Sequence, residues 1–285
     1  MRNPSPLRSI INTVAIATAI LLGGNVNAAI IFSDTYDTSA SDTPTNTQDI
    51  NFEIGTRTSG LATVSGYNSE GTAAPYQTQL WPFNNGPMSG GALLLVASTA
   101  NASPVWAGPD LDFSPFFGPA KPFYSFSFDL LIGNIDPFEA GFTFGVTAAN
   151  QGSDLDANHG GLSILLQKDG DWSIFDGSDA STAAVRNGSF PAQPRSILLD
   201  VFDSGTDVTL DLSINGFSVS SYTYTGSFAA NYVAFSGFTT AGDQAAYFDN
   251  FTVTAVPEPS TYALMGLLLS GVIFVRRKSG QVACQ

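Results

Sequence analysis

From residue 120 onward, apolar side chains recur at every second position. Tyr124, Phe126, Phe128, Leu130 and Ile132 alternate with Ser125, Ser127 and Asp129. That period places one set on each face of a half-buried strand. Phe142, Phe144, Val146 and Ala148 repeat the pattern, as do Leu162, Ile164 and Leu166, then Trp172 and Ile174. The segment KDGD at 168–171 predicts the turn between the last two, with Gly170 able to take positive φ. Residues 196–202 carry apolar side chains at both parities and predict a buried strand. Val208, Leu210, Leu212 and Ile214 share a face, and Asn215-Gly216 supplies the pair that a type I′ turn requires. A two-residue loop there pairs Ile214 with Phe217 and Leu212 with Val219. Residues 232–238 and 246–254 predict the closing strands.

The N-terminal half is less regular. Residues 30–36 predict a first strand, 39–48 a Ser/Thr/Asp loop, and 92–97 a short apolar strand. Residues 57–67 read as a strand broken at Gly60 and Gly66, and 73–122 otherwise as long loops rich in Pro, Gly and aromatics. No stretch of the body has a helical period. The body, 29–255, is therefore expected to be one all-β domain, an antiparallel β-sandwich of the jelly-roll kind.

The two ends obey a different logic. Arg2 and Arg8 precede an apolar run at 10–24, and Val26-Asn27-Ala28 sets small residues before a cut between Ala28 and Ala29. Residues 1–28 thus read as a secretory signal helix that engages the Sec translocon. At the other end stand Val256, Pro257, Glu258, Pro259, Ser260 and Thr261, then an apolar stretch at 262–275, then Arg276, Arg277 and Lys278. A helix over 262–275 rises about 21 Å against roughly 30 Å of hydrocarbon. Starting it at Ser260 and letting the basic side chains snorkel closes most of the difference. A transmembrane helix at 260–275 with a cytoplasmic tail at 279–285 is expected, the basic stop lying inside.

This tail resembles the PEP-CTERM sorting signal of Gram-negative bacteria. The resemblance covers 256–278 and implies recognition by an exosortase, a membrane-embedded cysteine protease-like enzyme that cuts near Pro-Glu-Pro. It implies an inner-membrane anchored precursor, then a cell-surface or extracellular protein in a bacterium that makes exopolysaccharide. A second resemblance rests on SDTYDT at 33–38, RTSGLATVSGY at 57–67, the Asn-Gly hairpin and YFDNFTVT at 247–254. These are similar to concanavalin A-like, or laminin-G-like, jelly rolls, and imply two antiparallel sheets with first and last strands near each other.

Composition narrows the chemistry. The chain has 285 residues, one His, one Cys and a net charge of −14. One His and one Cys exclude a Cys/His zinc site and an internal disulfide. Segment 29–256 keeps five bases (Arg57, Lys121, Lys168, Arg186, Arg195) against 23 acids, the 24 less Glu258, for a net charge near −18. That balance argues against nucleic acid as a partner.

A glycosidase needs two carboxyls about 5 to 9.5 Å apart. The body has only Glu53, Glu70 and Glu139, none in the Glu-x-Asp-x-x-Glu pattern of concanavalin-like glucanases. Asp207 and Asp211 share a strand face and read as solvated outer charges. His159 sits between glycines and reads as an exposed loop residue. No catalytic residue is assigned, and the chain is expected not to be an enzyme. Asp154, Asp156 and Asn158 alternate in a Gly-bounded loop, as either Ca²⁺ ligands or an ordinary polar turn. Asp249 shares the parity of Tyr247, Phe251 and Val253; it either points inward, needing hydrogen bonds or a cation, or caps loop amides at a strand edge. Trp81 and Trp106 either stack on sugar rings or plug the ends of the sandwich. Three functions fit these residues: a non-enzymatic surface or matrix protein associated with exopolysaccharide, a carbohydrate-binding module, or a polysaccharide hydrolase or lyase with a site not visible in the sequence.

Overall fold

The computed structural model describes residues 28–37, 48–51, 53–70, 78–81, 90–97, 105–117, 122–133, 138–152, 159–177, 183–190, 195–239 and 244–256. Residues Ala29–Ala255 form one compact unit, an all-β antiparallel sandwich of two sheets. In chain order the strands are β1 (Ala29–Asp34), β2 (Gln48–Asp49), β3 (Thr58–Ser59), β4 (Tyr67–Glu70), β5 (Thr78–Trp81) and β6 (Ala92–Ala97). Then come β7 (Val105–Pro109), β8 (Phe123–Ile132), β9 (Phe138–Val146), β10 (Leu162–Gln167), β11 (Asp171–Asp176) and β12 (Arg186–Ser189). β13 (Arg195–Asp203), β14 (Asp207–Ile214), β15 (Phe217–Thr225), β16 (Tyr232–Thr239) and β17 (Gln244–Val256) complete them, with a single helical turn α1 (Ile54–Arg57) before β3.

The larger sheet runs β15-β14-β13-β8-β17-β6-β5-β2, with β1 beside β17 and β3 beside β1. The smaller runs β12-β11-β10-β9-β16-β7-β4. First and last strands pair directly, from Ala29 opposite Ala255 to Asp34 opposite Phe251. Among the described residues no helix is long and apolar enough to cross a membrane. The helices expected at 1–28 and 260–275 lie outside the described residues, Ala28 excepted.

The period-two pattern explains the layers. Phe126 and Phe128 of β8 meet Phe142 and Phe144 of β9, with ring centroids 5.1 to 5.4 Å apart. Phe235 and Phe248 pack into the same space, 4.6 Å apart. Each buried ring contributes about 1.5–3 kcal/mol of transfer free energy.

Four expectations need correction. β13 is not buried on both faces: Ile197, Leu199 and Val201 point inward, while Ser196, Leu198, Asp200 and Phe202 face outward. Its outer face has no sheet over it, so apolar composition alone misread it. Second, the Asn215-Gly216 turn forms with φ of 51° and 80°, and Ile214 pairs with Phe217, but Leu212 lies opposite Ser220 rather than Val219. A register shift between Leu212 and Ser213 adds one residue to β15. Third, the described residues of 73–122 hold three strands, not one, because β5 pairs with β2 and β6, and β7 with the distant β16. Fourth, β17 changes parity at Asn250, whose φ is 53°. Ala246 and Phe248 are buried before it and Phe251, Val253 and Ala255 after it. Asp249 at the crossover is fully buried, and its Oδ1 accepts the Asn250 N–H at 2.7 Å.

The end of β1 carries a buried ion pair. Arg57 Nε lies 3.0 Å from Asp34 Oδ1 and 3.1 Å from Oδ2. Asp34 also accepts the Tyr36 N–H at 2.8 Å and the Tyr67 hydroxyl at 2.8 Å. Arg57 Nη2 donates to the Ile50 carbonyl, and its guanidinium stands over the Tyr67 ring. Burial pushes the Asp34 carboxyl above its ordinary range, outweighing the Arg57 charge and these hydrogen bonds, which pull it down. Tyr67 belongs to the smaller sheet and Asp34 to the larger, so the cluster bolts the two together.

Arg57→Met leaves a buried carboxylate without its cation and is expected to cost about 3–5 kcal/mol in urea unfolding. The double variant Asp34→Leu/Arg57→Met is expected to lose less than the single one. Equal losses in both would show that the charges themselves matter little.

Candidate functional site

Around Thr143 the outer face of the smaller sheet is built from small residues. On β9 the residues between the core phenylalanines are Gly141, Thr143 and Gly145, and β10 and β16 place Ser163 and Ala234 beside Thr143. This absence of bulk around Thr143 leaves room for Gln151 and His159 to be buried. Gln151 is buried there, its Nε2 donating to Pro109 O and Val233 O at 3.1 and 2.9 Å.

His159, expected to be exposed, is only 2% exposed. Its ring lies against Gly177, at a spot a Cβ would occupy. Its Nε2 is 2.9 Å from Ser163 Oγ, which is 2.9 Å from Thr143 Oγ1. This has the spacing of a serine–histidine dyad, but the protons are arranged otherwise. The Gly161 N–H donates to His159 Nδ1 at 3.1 Å. That nitrogen therefore holds the lone pair, and Nε2 carries the hydrogen and donates it to Ser163. A serine nucleophile needs a lone pair at the nitrogen facing it. The ring is set to donate to this serine, not to take its proton.

Glu139 stands half-buried on β9 and accepts the Gln167 Nε2 hydrogen bond at 2.8 Å. Its cross-strand neighbours are Gln167 and Phe238, so neither flanking strand sets a carboxyl opposite it. A shallow polar depression of about 340 Å³ lies elsewhere, beside the ion pair. Arg57, Asp37, Glu53 and the hydroxyls of Thr56 and Ser59 are among its lining.

Trp106 is a half-buried residue of β7, not a loop residue, and its ring backs onto Gly152. Trp81 ends β5; its side chain lies outside the described residues, as do Asp154, Asp156 and Asn158. Among the described residues no cluster of three His, Cys, Asp or Glu is placed to hold a metal. Phe116 lies in a 3₁₀ turn and Phe117 stacks on Tyr124 at 3.8 Å. Ala28 is exposed, Ala29 opens β1, and Val256 ends β17. Pro257, Glu258, Pro259, Ser260, Thr261, Arg276, Arg277 and Lys278 lie outside the described residues.

Beginning at the end of β17, residues 255–278 match a family model, the PEP-CTERM protein-sorting motif. The chain carries a PEP-CTERM sorting signal. The PEP-CTERM motif implies an exported protein sorted by exosortase. Among solved structures, the body is similar to the endo-1,3-beta-glucanase from Streptomyces sioyaensis, with 13% identity, a TM-score of 0.51, and coverage of 80% of this chain and 96% of that one. It is also similar to the lectin UEA-II complexed with galactose, at 10% identity and TM-score 0.41, covering 68% of this chain and 99% of the lectin. A sialidase matches at 12% identity and TM-score 0.40 over 66% of this chain, which spans only 16% of that enzyme. The likeness to the glucanase shows the fold alone, a concanavalin A-like sandwich, and nothing of activity. No curated protein sequence matches the chain significantly.

The chain has one histidine, so its ring nitrogens can be read without assignment ambiguity. Long-range ¹H–¹⁵N NMR at neutral pH is expected to show the Nε2–H tautomer. An Nδ1–H tautomer would reopen Ser163 as a nucleophile.

Proposed function

We propose that this PEP-CTERM protein is a non-catalytic β-sandwich of the cell surface or extracellular matrix, held there by association with exopolysaccharide. The observation that carries the reading is a sorting motif joined to a sandwich whose one imidazole is turned to donate to its serine. The position of Glu139, opposite an amide and an aromatic ring rather than a second carboxyl, supports the same reading. Export through the Sec translocon of a Gram-negative bacterium, and an inner-membrane precursor held by 260–275, belong to this proposal. The body's charge near −18 keeps such a protein soluble once released.

Mass spectrometry of host cell fractions tests it. The expected species begins at Ala29, ends near Pro257 and is found in the surface or medium fraction. A species keeping residues 262–278 in the inner membrane would make the body a periplasmic domain instead. Reducing-sugar release from the host's own polysaccharide is expected to stay at background; turnover would restore the hydrolase reading.

A further inference from the structure

The outer face of the larger sheet breaks the rule that its polar surroundings obey. Phe123 of β8 and Phe202 of β13 sit directly opposite each other, 51% and 38% exposed. Their ring centroids are 4.8 Å apart and tilted by 37°. Two residues along the same strands, Ser125 faces Asp200, and Asp200 in turn faces Asp211 of β14. That step is roughly 7 Å. The neighbouring outward positions are hydroxyls: Thr209 and Thr223 beside Phe202, 3.2 Å apart through their oxygens, and Ser221 beside Asp211.

Two aspects of this patch need an explanation. Two phenylalanines in contact present an apolar surface to water. Like charges directly opposite across a strand pair are destabilising, yet Asp200 and Asp211 stand so. Burial, and the Asp211 charge after it, push the Asp200 carboxyl above its ordinary range. Among the described residues this face has no Lys or Arg: Arg57 and Arg195 are buried, and Lys168 and Arg186 belong to the smaller sheet and its turn.

We propose that Phe123, Phe202, Asp200 and Asp211 form a binding strip for a polysaccharide bearing protonated amines, such as a partly deacetylated hexosamine polymer. The aromatic pair takes the carbon face of a sugar ring and attracts its ammonium group through the ring faces. The two carboxylates, repelling each other in the free protein, receive the ammonium of the next unit. Anionic polymers are disfavoured by the same carboxylates. This rests on the exopolysaccharide reading above and names the class of polymer.

The test uses the full-length protein in mild detergent, with soluble chitosan as the amine-bearing probe and its N-acetylated oligomers and alginate as the neutral and anionic ones. Chitosan is expected to bind with a salt-dependent affinity that exceeds the other two. Phe123→Ala/Phe202→Ala is expected to weaken it roughly tenfold. Asp200→Asn/Asp211→Asn is expected to remove most of the salt dependence. All four side chains lie on the outer face, and thermal unfolding checks that the variants stay folded. Unchanged chitosan binding in both variants, equal binding of the acetylated oligomers, or preference for alginate would each overturn the proposal. So would sedimentation showing that the phenylalanine variant only dissolves a dimer. A protein recovered in the matrix but blind to chitosan would overturn this strip and leave the surface reading standing; an inner-membrane species with its tail would do the reverse.

Discussion

A charge pair with almost no access to water holds the beginning, the end and both layers of this sandwich in one place. Asp34 closes the strand that pairs with the last one, and Arg57 reaches it from α1. Tyr67 reaches the same carboxylate from the other sheet. Burying two charges costs several kcal/mol each before their attraction is counted. The arrangement therefore contributes less to net stability than to uniqueness. A misplaced first strand would leave Arg57 buried without its carboxylate. The strain around it fits that role. Tyr36 is fully buried with φ of 51°, and Glu53 has φ of 52°. Such conformations cost about 1–3 kcal/mol each and persist only where the surroundings over-determine them.

The two outer faces reflect what the chain places between its core residues. On the smaller sheet they include Gly141, Thr143, Gly145 and Ser163, a patch of small residues beside which Gln151 and His159 are buried. On the larger sheet they are mostly serines, threonines and aspartates, with Phe123, Leu131, Leu198 and Phe202 among them. Among the described residues one sandwich thus has two unlike outer faces. The first carries the buried contact between His159 and Ser163, while the second carries Phe123, Phe202, Asp200 and Asp211.

Another long-range feature is Arg195, which points inward from β13 and is fully buried. Its Nη2 lies 3.4 Å from the carbonyl of Lys168 in the β10–β11 turn. Burial draws its pKa down to about 10, opposed by the Asp169 and Asp171 charges. It ties the sheets at one turn as Asp34 and Tyr67 tie them at the end of β1. Strand alternation placed Arg195 on the inward parity, but nothing local said that an arginine would be kept there.

Strand periods and the Asn215-Gly216 turn were legible in the residues because they depend on neighbours two positions away. The sorting motif was legible too, since a short linear segment is read as sequence. The shift in β15 and the crossing of parity at Asn250 were not, because each adds a residue that alternation cannot count. SDTYDT, RTSGLATVSGY and YFDNFTVT marked the right segments for a fold, yet their meeting in one buried cluster required the sheets to be assembled. His159 looked exposed for the same reason: its burial depends on Gly177, eighteen positions away. Local patterns of apolar and polar side chains were enough for the all-β class, most of the core faces and the export address. Which charges pair, which hydroxyl meets the histidine and which phenylalanines remain in water had to await assembly of the two sheets. Those outcomes depend on the partner brought opposite each group, and in an antiparallel sandwich that partner comes from a distant strand.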